Sequence, residues 1–339
     1  MAWLLTGGAG YIGSHITRAF REAGTDVVVL DDLSTGYRGY VPDDVAFVDG
    51  SVEDSEAVGR ALDQGDIAGV LHLAGLKYAG VSVEQPLEFF RANVTGTQVL
   101  LEAVAERGIE NFLFSSSASW YGTPEAEIVD EDTQPRPESP YGQSKVIGEW
   151  LLRDVAASRQ GLNHSSLRYF NVVGSGPPEL ADHSPHNLFP KVLRALSRGE
   201  APLVFGTDYD TPDGSCVRDY VHVVDLADAH VAVAKHLEAG RTAAPAYNVG
   251  RGEGSSVLEV VNTILGVTGY DVQPELRDRR PGDPARIVGA VDRIGADLDW
   301  HARYGLDDMV TSAWAAWQHQ LDTHGGAPAD GARLAIARA

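Results

Sequence analysis

The chain has 339 residues, of which 43% are hydrophobic and 22% are charged, so it is long enough for one large domain with a smaller one beside it. Its net charge of −21 argues against nucleic acid or an anionic membrane as a partner, and no apolar run approaches the roughly 18 residues that a membrane helix needs. Because Cys216 is the single cysteine and the first residues run into an apolar strand without a basic leader, we expect a cytoplasmic protein without disulfides.

The N-terminal residues have the pattern of a βαβ unit. An apolar run from Ala2 to Leu5 is followed by a glycine-rich turn, by a helical pattern that extends to Glu22, and by a second apolar run that ends at Asp31 and Asp32. Asp31 stands where an acidic side chain would accept hydrogen bonds from an adenosine ribose and repel a 2′-phosphate. This position favours NAD over NADP.

The turn inside this unit carries three glycines, Gly7, Gly10 and Gly13, in the spacing G-x-x-G-x-x-G. Glycine permits a tight turn, lets the backbone approach a pyrophosphate, and allows the helix to pack closely on the strand. The pyrophosphate would lie at the N-terminus of the helix, where free amides and the helix dipole favour an anion. The sequence therefore predicts a dinucleotide-binding site.

Strands and helices continue to alternate along the first half of the chain. Strands are predicted for residues 45–48, 70–73, 112–114 and 165–169, and helices for 54–62, 86–107 and a segment that starts near Pro140. This alternation predicts an α/β fold with a doubly wound, Rossmann-like parallel sheet. Ligands of such sheets bind at the carboxyl ends of the strands. Five candidate residues fall there: Gly7, Asp31, Gly75, Ser117 and Asn171.

The alternation breaks after about residue 171. We expect a loop over residues 174–186, a helix over 188–196 and a strand over 203–205, with residues 220–224 and 247–250 rejoining the main sheet. Three regions are therefore predicted: an NAD-binding domain over 1–171, a smaller and mainly substrate-binding region over 172–324, and a disordered tail over 325–339.

Tyr141 and Lys145 lie four residues apart on the helix predicted after Pro140, a residue that suits the first turn of a helix. Positions i and i+4 share a helix face, so the phenol and the ammonium group point the same way. An ammonium group one turn away favours the phenolate and lowers the tyrosine pKa from about 10, which provides a base near neutral pH. None of the 11 histidines stands at metal-ligand spacing, and we expect no metal.

The chain closely resembles UDP-glucose (UDP-galactose) 4-epimerases, within the extended short-chain dehydrogenase/reductase superfamily, over roughly residues 2–318. The motifs that carry the resemblance are TGGAGYIGSH from Thr6, HLAGLK from His72, NVTGT from Asn93, SSSAS and WYG from Ser115 to Gly122, SPYGQSK from Ser139, RYFNVVG from Arg168, and GTDYDTPDGSCVRDYVHVVDLADAH from Gly206. Together these motifs are far more specific than any one of them.

The resemblance implies NAD-dependent inversion at C4 of a UDP-hexose through a bound 4-keto sugar, with NAD retained as a prosthetic group. It makes Tyr141 the base for the sugar 4-hydroxyl, Ser117 the residue that positions or relays that proton, and Lys145 the contact of the nicotinamide ribose. By the same resemblance we expect a homodimer that pairs the predicted helices 86–107 and 141–155.

The resemblance also carries over binding positions. The expected cofactor contacts are Gly7, Gly10, Tyr11, Ile12, Gly13, Asp31, Asp32, Ser51, Val52, Leu73, Ala74, Gly75, Lys77, Asn93, Ser115, Tyr141, Lys145 and Tyr169. The expected UDP-sugar contacts are Ser117, Ser119, Tyr141, Asn171, Asn187, Leu188, Val204, Phe205, Arg218, Tyr220, Arg280, Asp283 and Ile287. Arg218 and Arg280 are expected to bind the diphosphate, because guanidinium groups form bidentate, charge-assisted hydrogen bonds. The alternative for Arg218 is an ion pair with Asp219 or Asp225.

Three positions depart from the family pattern. Ser51 replaces an aspartate that is usual near the adenine, and Ser119, which precedes the bulky Trp120, replaces a threonine. Ile287 stands at the position that limits room for an N-acetyl group on the sugar. Because β-branching makes isoleucine stiff, we expect Ile287 to favour UDP-glucose over UDP-N-acetylglucosamine.

Related activities of the superfamily differ in the residues that follow Ser117. A nucleotide-sugar 4,6-dehydratase needs an acidic pair where this chain has Ala118 and Ser119, and a UDP-glucuronate decarboxylase usually has a glutamate at the second of these positions. A UDP-glucuronate or UDP-N-acetylglucosamine 4-epimerase is the alternative function. A non-catalytic NAD-binding regulator is a further alternative, although such proteins typically lose the tyrosine or the lysine that this chain keeps.

Overall fold

The computed structural model describes residues 1–159, 161–280 and 282–324, so the predicted tail lies outside the described residues. The strands are β1 (Ala2–Thr6), β2 (Asp26–Asp31), β3 (Ala46–Asp49), β4 (Ile67–His72), β5 (Asn111–Ser115), β6 (Asn163–Tyr169), β7 (Asn171–Val173), β8 (Leu203–Phe205), β9 (Val217–His222), β10 (Ala246–Val249), β11 (Gly254–Ser256), β12 (Glu275–Arg277) and β13 (Arg286–Ile287). The α-helices are α1 (Tyr11–Glu22), α2 (Ser55–Leu62), α3 (Ala79–Glu84), α4 (Pro86–Phe90), α5 (Gly96–Arg107), α6 (Pro140–Ser158), α7 (Leu188–Ser197), α8 (Val223–Glu238), α9 (Val257–Thr268), α10 (Asp292–Leu298) and α11 (Leu306–His324). In these ranges no helix combines the length and the apolar character of a membrane span.

Seven strands form one parallel sheet in the order β10-β6-β5-β4-β1-β2-β3. The chain extends the sheet from β1 through β2 and β3 in one direction, and from β4 through β5 and β6 in the other. The switch point therefore lies between β1 and β4, where ligands of such sheets bind. This arrangement confirms the predicted doubly wound, Rossmann-like fold.

Alternate residues of the central strands are buried on opposite faces of the sheet. Leu5 and Val29 pack in one cluster with residues of α1 and α8, whereas Leu4 and Val28 pack in another with residues of α2, α5 and α6. Because helices cover both faces, both sides of each strand must be apolar. This double burial explains the continuous apolar runs of the sequence.

The helix predicted over residues 86–107 is divided in the structure. Helix α4 is followed by a π-helical turn over Arg91–Thr95 and then by α5. A π turn inserts one residue into the helix and commonly marks a functional site. Here the turn contains Asn93, whose side chain reaches out to a loop described below.

The prediction that residues 220–224 rejoin the main sheet is wrong. Strand β9 pairs with β7, β11 and β13 in a separate sheet. Helix α8, which was not predicted, begins directly after it, because the ring of His222 accepts a hydrogen bond from the Val224 amide and caps the first turn. By contrast, the prediction for residues 247–250 is confirmed, since β10 pairs with β6 at the edge of the main sheet.

Candidate active site

A cleft, which we call the first cavity, follows the carboxyl ends of β1, β2 and β4 at the switch point. Every predicted cofactor contact except Asn93 lines it. Residues that are far apart in the sequence, from the glycine turn to Tyr169, are thus brought to one surface. The position is the one at which open α/β sheets bind their ligands.

The glycine turn fits the pyrophosphate of a dinucleotide. A Cβ atom on Gly13 would lie 2.1 Å from the carbonyl oxygen of Gly7, so helix and turn need glycine to pack this closely. A Cβ atom on Gly10 would meet only the Gly7 oxygen, at 3.4 Å, and the backbone there is open to the cavity. Gly10 also precedes α1 without a side-chain cap, which leaves the first amides of the helix available to phosphate oxygens.

The carboxylate of Asp31 is fixed at the edge of the first cavity. Its oxygens accept hydrogen bonds from the amides of Ala9 and Leu33, each at 2.9 Å. Burial raises the pKa of Asp31, and the two amides oppose this rise. Leu33 has a positive φ of 55°, which is uncommon for a non-glycine residue, so its amide is held toward Asp31 at some backbone cost. Each carboxylate oxygen keeps a lone pair for a ribose hydroxyl.

Asn93 lies behind the first cavity and not on its wall. Its Oδ1 accepts a hydrogen bond from the Leu76 amide (2.7 Å), and its Nδ2 donates to the Leu76 carbonyl and to Ser144 Oγ (both 2.9 Å). The carboxamide is therefore engaged by protein groups. Asn93 thereby holds the loop that carries Lys77 to the cavity, and its contact with the cofactor stays a prediction.

Helix α6 brings Tyr141 and Lys145 to the same surface. Lys145 Nζ lies 5.9 Å from the centre of the Tyr141 ring, which agrees with the predicted shared face. The same nitrogen donates a hydrogen bond to the Ser115 carbonyl at the end of β5 (2.8 Å). The hydroxyl of Ser117, just beyond this strand, is close enough to the Tyr141 phenol to act on its pKa. The three predicted catalytic side chains are thus adjacent.

The charge balance at these side chains differs from the prediction. Burial raises the pKa of Tyr141, while the Ser117 hydroxyl acts to lower it, so the expected lowering by Lys145 is not found. Lys145 is itself buried, and burial lowers its pKa to about 8, against the opposite effect of Glu149 one turn further along α6. Desolvation therefore outweighs the attraction between the phenolate and the ammonium group here.

A second cavity, of about 990 Å³, lies between the main sheet and the second half of the chain. Most predicted UDP-sugar contacts line it: Ser117, Tyr141, Asn171, Asn187, Leu188, Phe205, Arg218, Tyr220, Arg280 and Asp283. Five residues border both cavities: Tyr11, Ile12, Lys77, Tyr141 and Tyr169. The phenol of Tyr141 therefore stands where molecules bound in the two cavities would meet.

Two arginines converge on one carboxylate at the far end of the second cavity. Arg280 Nε donates to Asp283 Oδ2 at 2.8 Å, and a terminal nitrogen of Arg218 lies 3.8 Å from Asp283 Oδ1. The alternative pairing of Arg218 with Asp219 or Asp225 is not found. The Asp219 carboxylate instead accepts backbone amides, and Asp225 pairs with Arg303.

Residues 3–250 match the family model described as the NAD dependent epimerase/dehydratase family. The chain belongs to this family. It is 42% identical over 324 residues to UDP-glucose 4-epimerase of Azospirillum brasilense, covering 94% of this chain and 92% of that protein. It is 41% identical over 331 residues to UDP-glucose 4-epimerase of Bacillus subtilis (strain 168), covering 94% and 97%. The structure of the Bifidobacterium longum UDP-glucose 4-epimerase in complex with NAD⁺ and UDP superposes with a TM-score of 0.87 at 36% identity, covering 96% and 100%.

Three of the expected UDP-sugar contacts do not line either cavity. Val204 is fully buried in the hydrophobic core of the second half of the chain. Ser119 lies in a short helical turn, and its amide donates a hydrogen bond to Ser117 Oγ (3.1 Å). Ile287 packs in a cluster with Phe170, behind the wall that Phe170 forms. This position gives no support to the gating role expected for Ile287, which stays a prediction.

Sequence reasoning missed residues that reach the cavities from distant parts of the chain. Tyr37, Tyr40 and His183 border the first cavity, and His186 and Lys191 border the second. Of these residues, only Lys191 could have been suspected from the sequence. The chain has few lysines, and Lys77 and Lys145 were already recognised as candidate site residues. Within the described ranges, no cluster of three or more His, Cys, Asp or Glu side chains is arranged to hold a metal ion.

A buried ion pair lies next to the predicted catalytic side chains. Two nitrogens of Arg168 donate to the Glu149 carboxylate at 2.9 and 2.7 Å, and its guanidinium lies 3.6 Å from the centre of the Trp120 ring. Ser116, next to Ser117, donates its hydroxyl to the same carboxylate. The pair thus fixes the turn of Ser117 and also places a negative charge near Lys145.

Proposed function

We propose that this chain interconverts UDP-galactose and UDP-glucose by NAD-dependent inversion of C4 of the hexose. The observation that carries the proposal is the position of Tyr141 at the junction of two cavities. One of them fits a dinucleotide through the glycine turn and Asp31, and the other ends at a pair of arginines suited to a diphosphate. A base between a redox cofactor and a nucleotide sugar is what reversible oxidation of a sugar alcohol requires.

In this proposal Tyr141 takes the proton of the sugar 4-hydroxyl, and Ser117 holds that oxygen toward the phenol. Lys145 keeps a positive charge beside the phenolate and is itself held by the Ser115 carbonyl. The first cavity would hold NAD, which would supply reversible hydride chemistry at C4. After the sugar has rotated to present its other face, Tyr141 returns the proton to the 4-oxygen, which becomes the new hydroxyl.

The size of the second cavity supports inversion over simple oxidation. Ligand cavities typically measure about 300–1,000 Å³, and this one lies near the upper limit. Arg218 and Arg280 stand on the wall of this same cavity and can hold the diphosphate of a UDP-sugar while the sugar turns. Such a sugar has room to present either face to Tyr141, which inversion at C4 requires.

The test is a panel of UDP-galactose, UDP-N-acetylgalactosamine and UDP-galacturonate, each incubated with the purified protein and followed by chromatography of the C4 epimer. We expect UDP-galactose to be converted fastest. A preference for one of the other two would move the assignment to the corresponding 4-epimerase. If none of the three UDP-sugars is converted, the proposal of an epimerase fails and a non-catalytic binding protein remains as the alternative. The nucleotide released on denaturation should be NAD, and release of NADP would contradict the role given to Asp31.

We further propose that the protein acts in the cytoplasm as a homodimer paired through α4, α5 and α6. Large apolar side chains are exposed on neighbouring helices of this face, with Leu87 on α4 at 76% and Trp150 on α6 at 44%. Exposed apolar groups that lie together commonly mark a protein interface. Sedimentation should give a dimer for the wild type and a monomer for Trp150→Glu, whereas a monomeric wild type would contradict the pairing.

A further inference from the structure

The wall of the first cavity contains a contribution from the second half of the chain. Most of this wall comes from the first 171 residues, but Ala181 to Ser184, in the loop between β7 and α7, reach across and border it. Tyr37 and Tyr40, which follow β2, border the same cavity and contact this loop. The cavity is therefore bordered by two segments that are far apart in the sequence and contact each other.

The contact between these segments is specific. The Tyr40 hydroxyl donates to the Ala181 carbonyl (3.1 Å) and lies 2.7 Å from His183 Nε2. Because a phenol has a single hydrogen, both hydrogen bonds form when His183 Nε2 carries a proton and donates to the Tyr40 oxygen. The Tyr37 ring packs beside both partners, 5.1 Å from the Tyr40 ring and 5.2 Å from the His183 ring.

Each side of this contact is held in place. On one side, Asp182 accepts hydrogen bonds from the Ser184 amide (3.0 Å) and from Asn187 Nδ2 (2.7 Å), which stiffens the loop. On the other side, Arg38 donates to the Val41 carbonyl (2.9 Å) and lies over the Phe47 ring of β3. Opening the cavity here therefore separates two ordered segments and breaks the bonds of Tyr40.

The loop is attached at a second point. The His186 ring lies 4.4 Å from the Tyr78 ring, and Tyr78 also borders the first cavity. The loop thus spans the first cavity between Tyr40 and Tyr78. A dinucleotide bound on the glycine turn would lie next to this loop, because Tyr11 of that turn, Tyr40 and Asp182 line the same cavity.

We propose that Tyr40 and His183 form a clasp that closes the first cavity over the bound dinucleotide and slows its exchange. The inference rests on the proposed function. An epimerisation leaves its cofactor in the starting oxidation state after each turnover, so release of the cofactor serves no step of the reaction. A protein with this chemistry gains from a closed cofactor site, while the second cavity stays open to the UDP-sugar.

The test measures cofactor exchange and not turnover. The purified holoprotein is mixed with an excess of isotopically labelled NAD, and the bound fraction is followed by mass spectrometry after rapid desalting. Tyr40→Phe removes the hydroxyl but keeps the ring, so we expect exchange about tenfold faster or more, since both hydrogen bonds are lost. Tyr270→Phe is the matched control, because Tyr270 lies in the segment that connects α9 and β12 and lines neither cavity. This variant should exchange its bound NAD at the wild-type rate.

A second variant separates the clasp from a general loss of packing. His183→Leu should accelerate exchange to a similar extent, and combining it with Tyr40→Phe should add little, because both variants break the same contact. Wild-type exchange in both single variants would overturn the clasp, as would fully additive effects in the double variant. If the wild-type protein is purified without NAD and does not bind it, the proposed function fails, which is a result distinct from failure of the clasp alone.

Discussion

Replacement of Tyr141 by phenylalanine is the sharpest single perturbation of the proposed chemistry. The change removes one oxygen at the junction of the two cavities and keeps the ring. The backbone of this residue should stay in place, because its amide still donates to Ser82 Oγ (3.1 Å) and its carbonyl still accepts from Ser144 Oγ (2.7 Å). Ser117 continues to accept the Ser119 amide (3.1 Å).

The expected magnitudes follow from these contacts. Loss of one hydrogen bond that can be replaced by water should change the free energy of unfolding by only about 1 kcal/mol. Loss of a general base should lower kcat by roughly 10²- to 10⁴-fold, which corresponds to about 3–5 kcal/mol in the activation barrier. Tyr141→Phe should therefore be nearly inactive but almost as stable as the wild type.

The assay compares conversion of UDP-galactose, NAD content and UDP affinity for the two proteins. We expect the rate to fall by at least about two orders of magnitude while NAD content and UDP affinity stay close to the wild-type values. A wild-type rate would show that Tyr141 is not the base. A loss of bound NAD or UDP in proportion to the loss of rate would show that it acts in binding and not in proton transfer.

Three further predictions follow from the site. Because burial lowers the pKa of Lys145 to about 8, its positive charge is present below that pH and lost above it, so the rate should fall above about pH 8. Glu149→Gln removes the charge that raises this pKa and should move the alkaline limb of the pH–rate profile to lower pH, whereas an unmoved limb would assign it to another group. Arg280→Leu should weaken UDP binding about 10- to 100-fold, as measured by calorimetry. The control is Arg279→Leu, which changes a neighbour outside the cavity wall and should leave UDP affinity unchanged. Equal effects of the two variants would indicate only a general charge effect. Ile287→Ala should lower the free energy of unfolding by about 1–3 kcal/mol in denaturant titrations. It should leave the ratio of kcat/KM for UDP-glucose and UDP-N-acetylglucosamine unchanged, and a shifted ratio would support the predicted gating role of Ile287.

Features encoded by local patterns were predictable from the sequence. The glycine turn and Asp31 are positions of a βαβ unit, and Tyr141 and Lys145 are one helical turn apart, so each pair is fixed by short-range geometry. The apolar runs predicted the central parallel strands because burial on both faces leaves few polar residues in them. These features supply many of the residues that line the first cavity.

Features that depend on distant contacts were not predictable in the same way. Tyr40 and His183 are 143 residues apart, and nothing local to either residue indicates that they meet. Val217–His222 is as buried as the strands of the main sheet, but its sequence does not indicate which sheet it joins. The raised pKa of Tyr141 likewise depends on how deeply the helix is buried, which spacing from Lys145 does not reveal.

The most direct test of the proposed reaction is the fate of the C4 hydrogen. UDP-galactose is incubated with the purified protein in D₂O without added cofactor, and the product is examined by NMR. The proposal predicts UDP-glucose with hydrogen retained at C4, because only the proton on the 4-oxygen passes through Tyr141 and exchanges with solvent. Deuterium at C4, or the absence of any conversion, would contradict it.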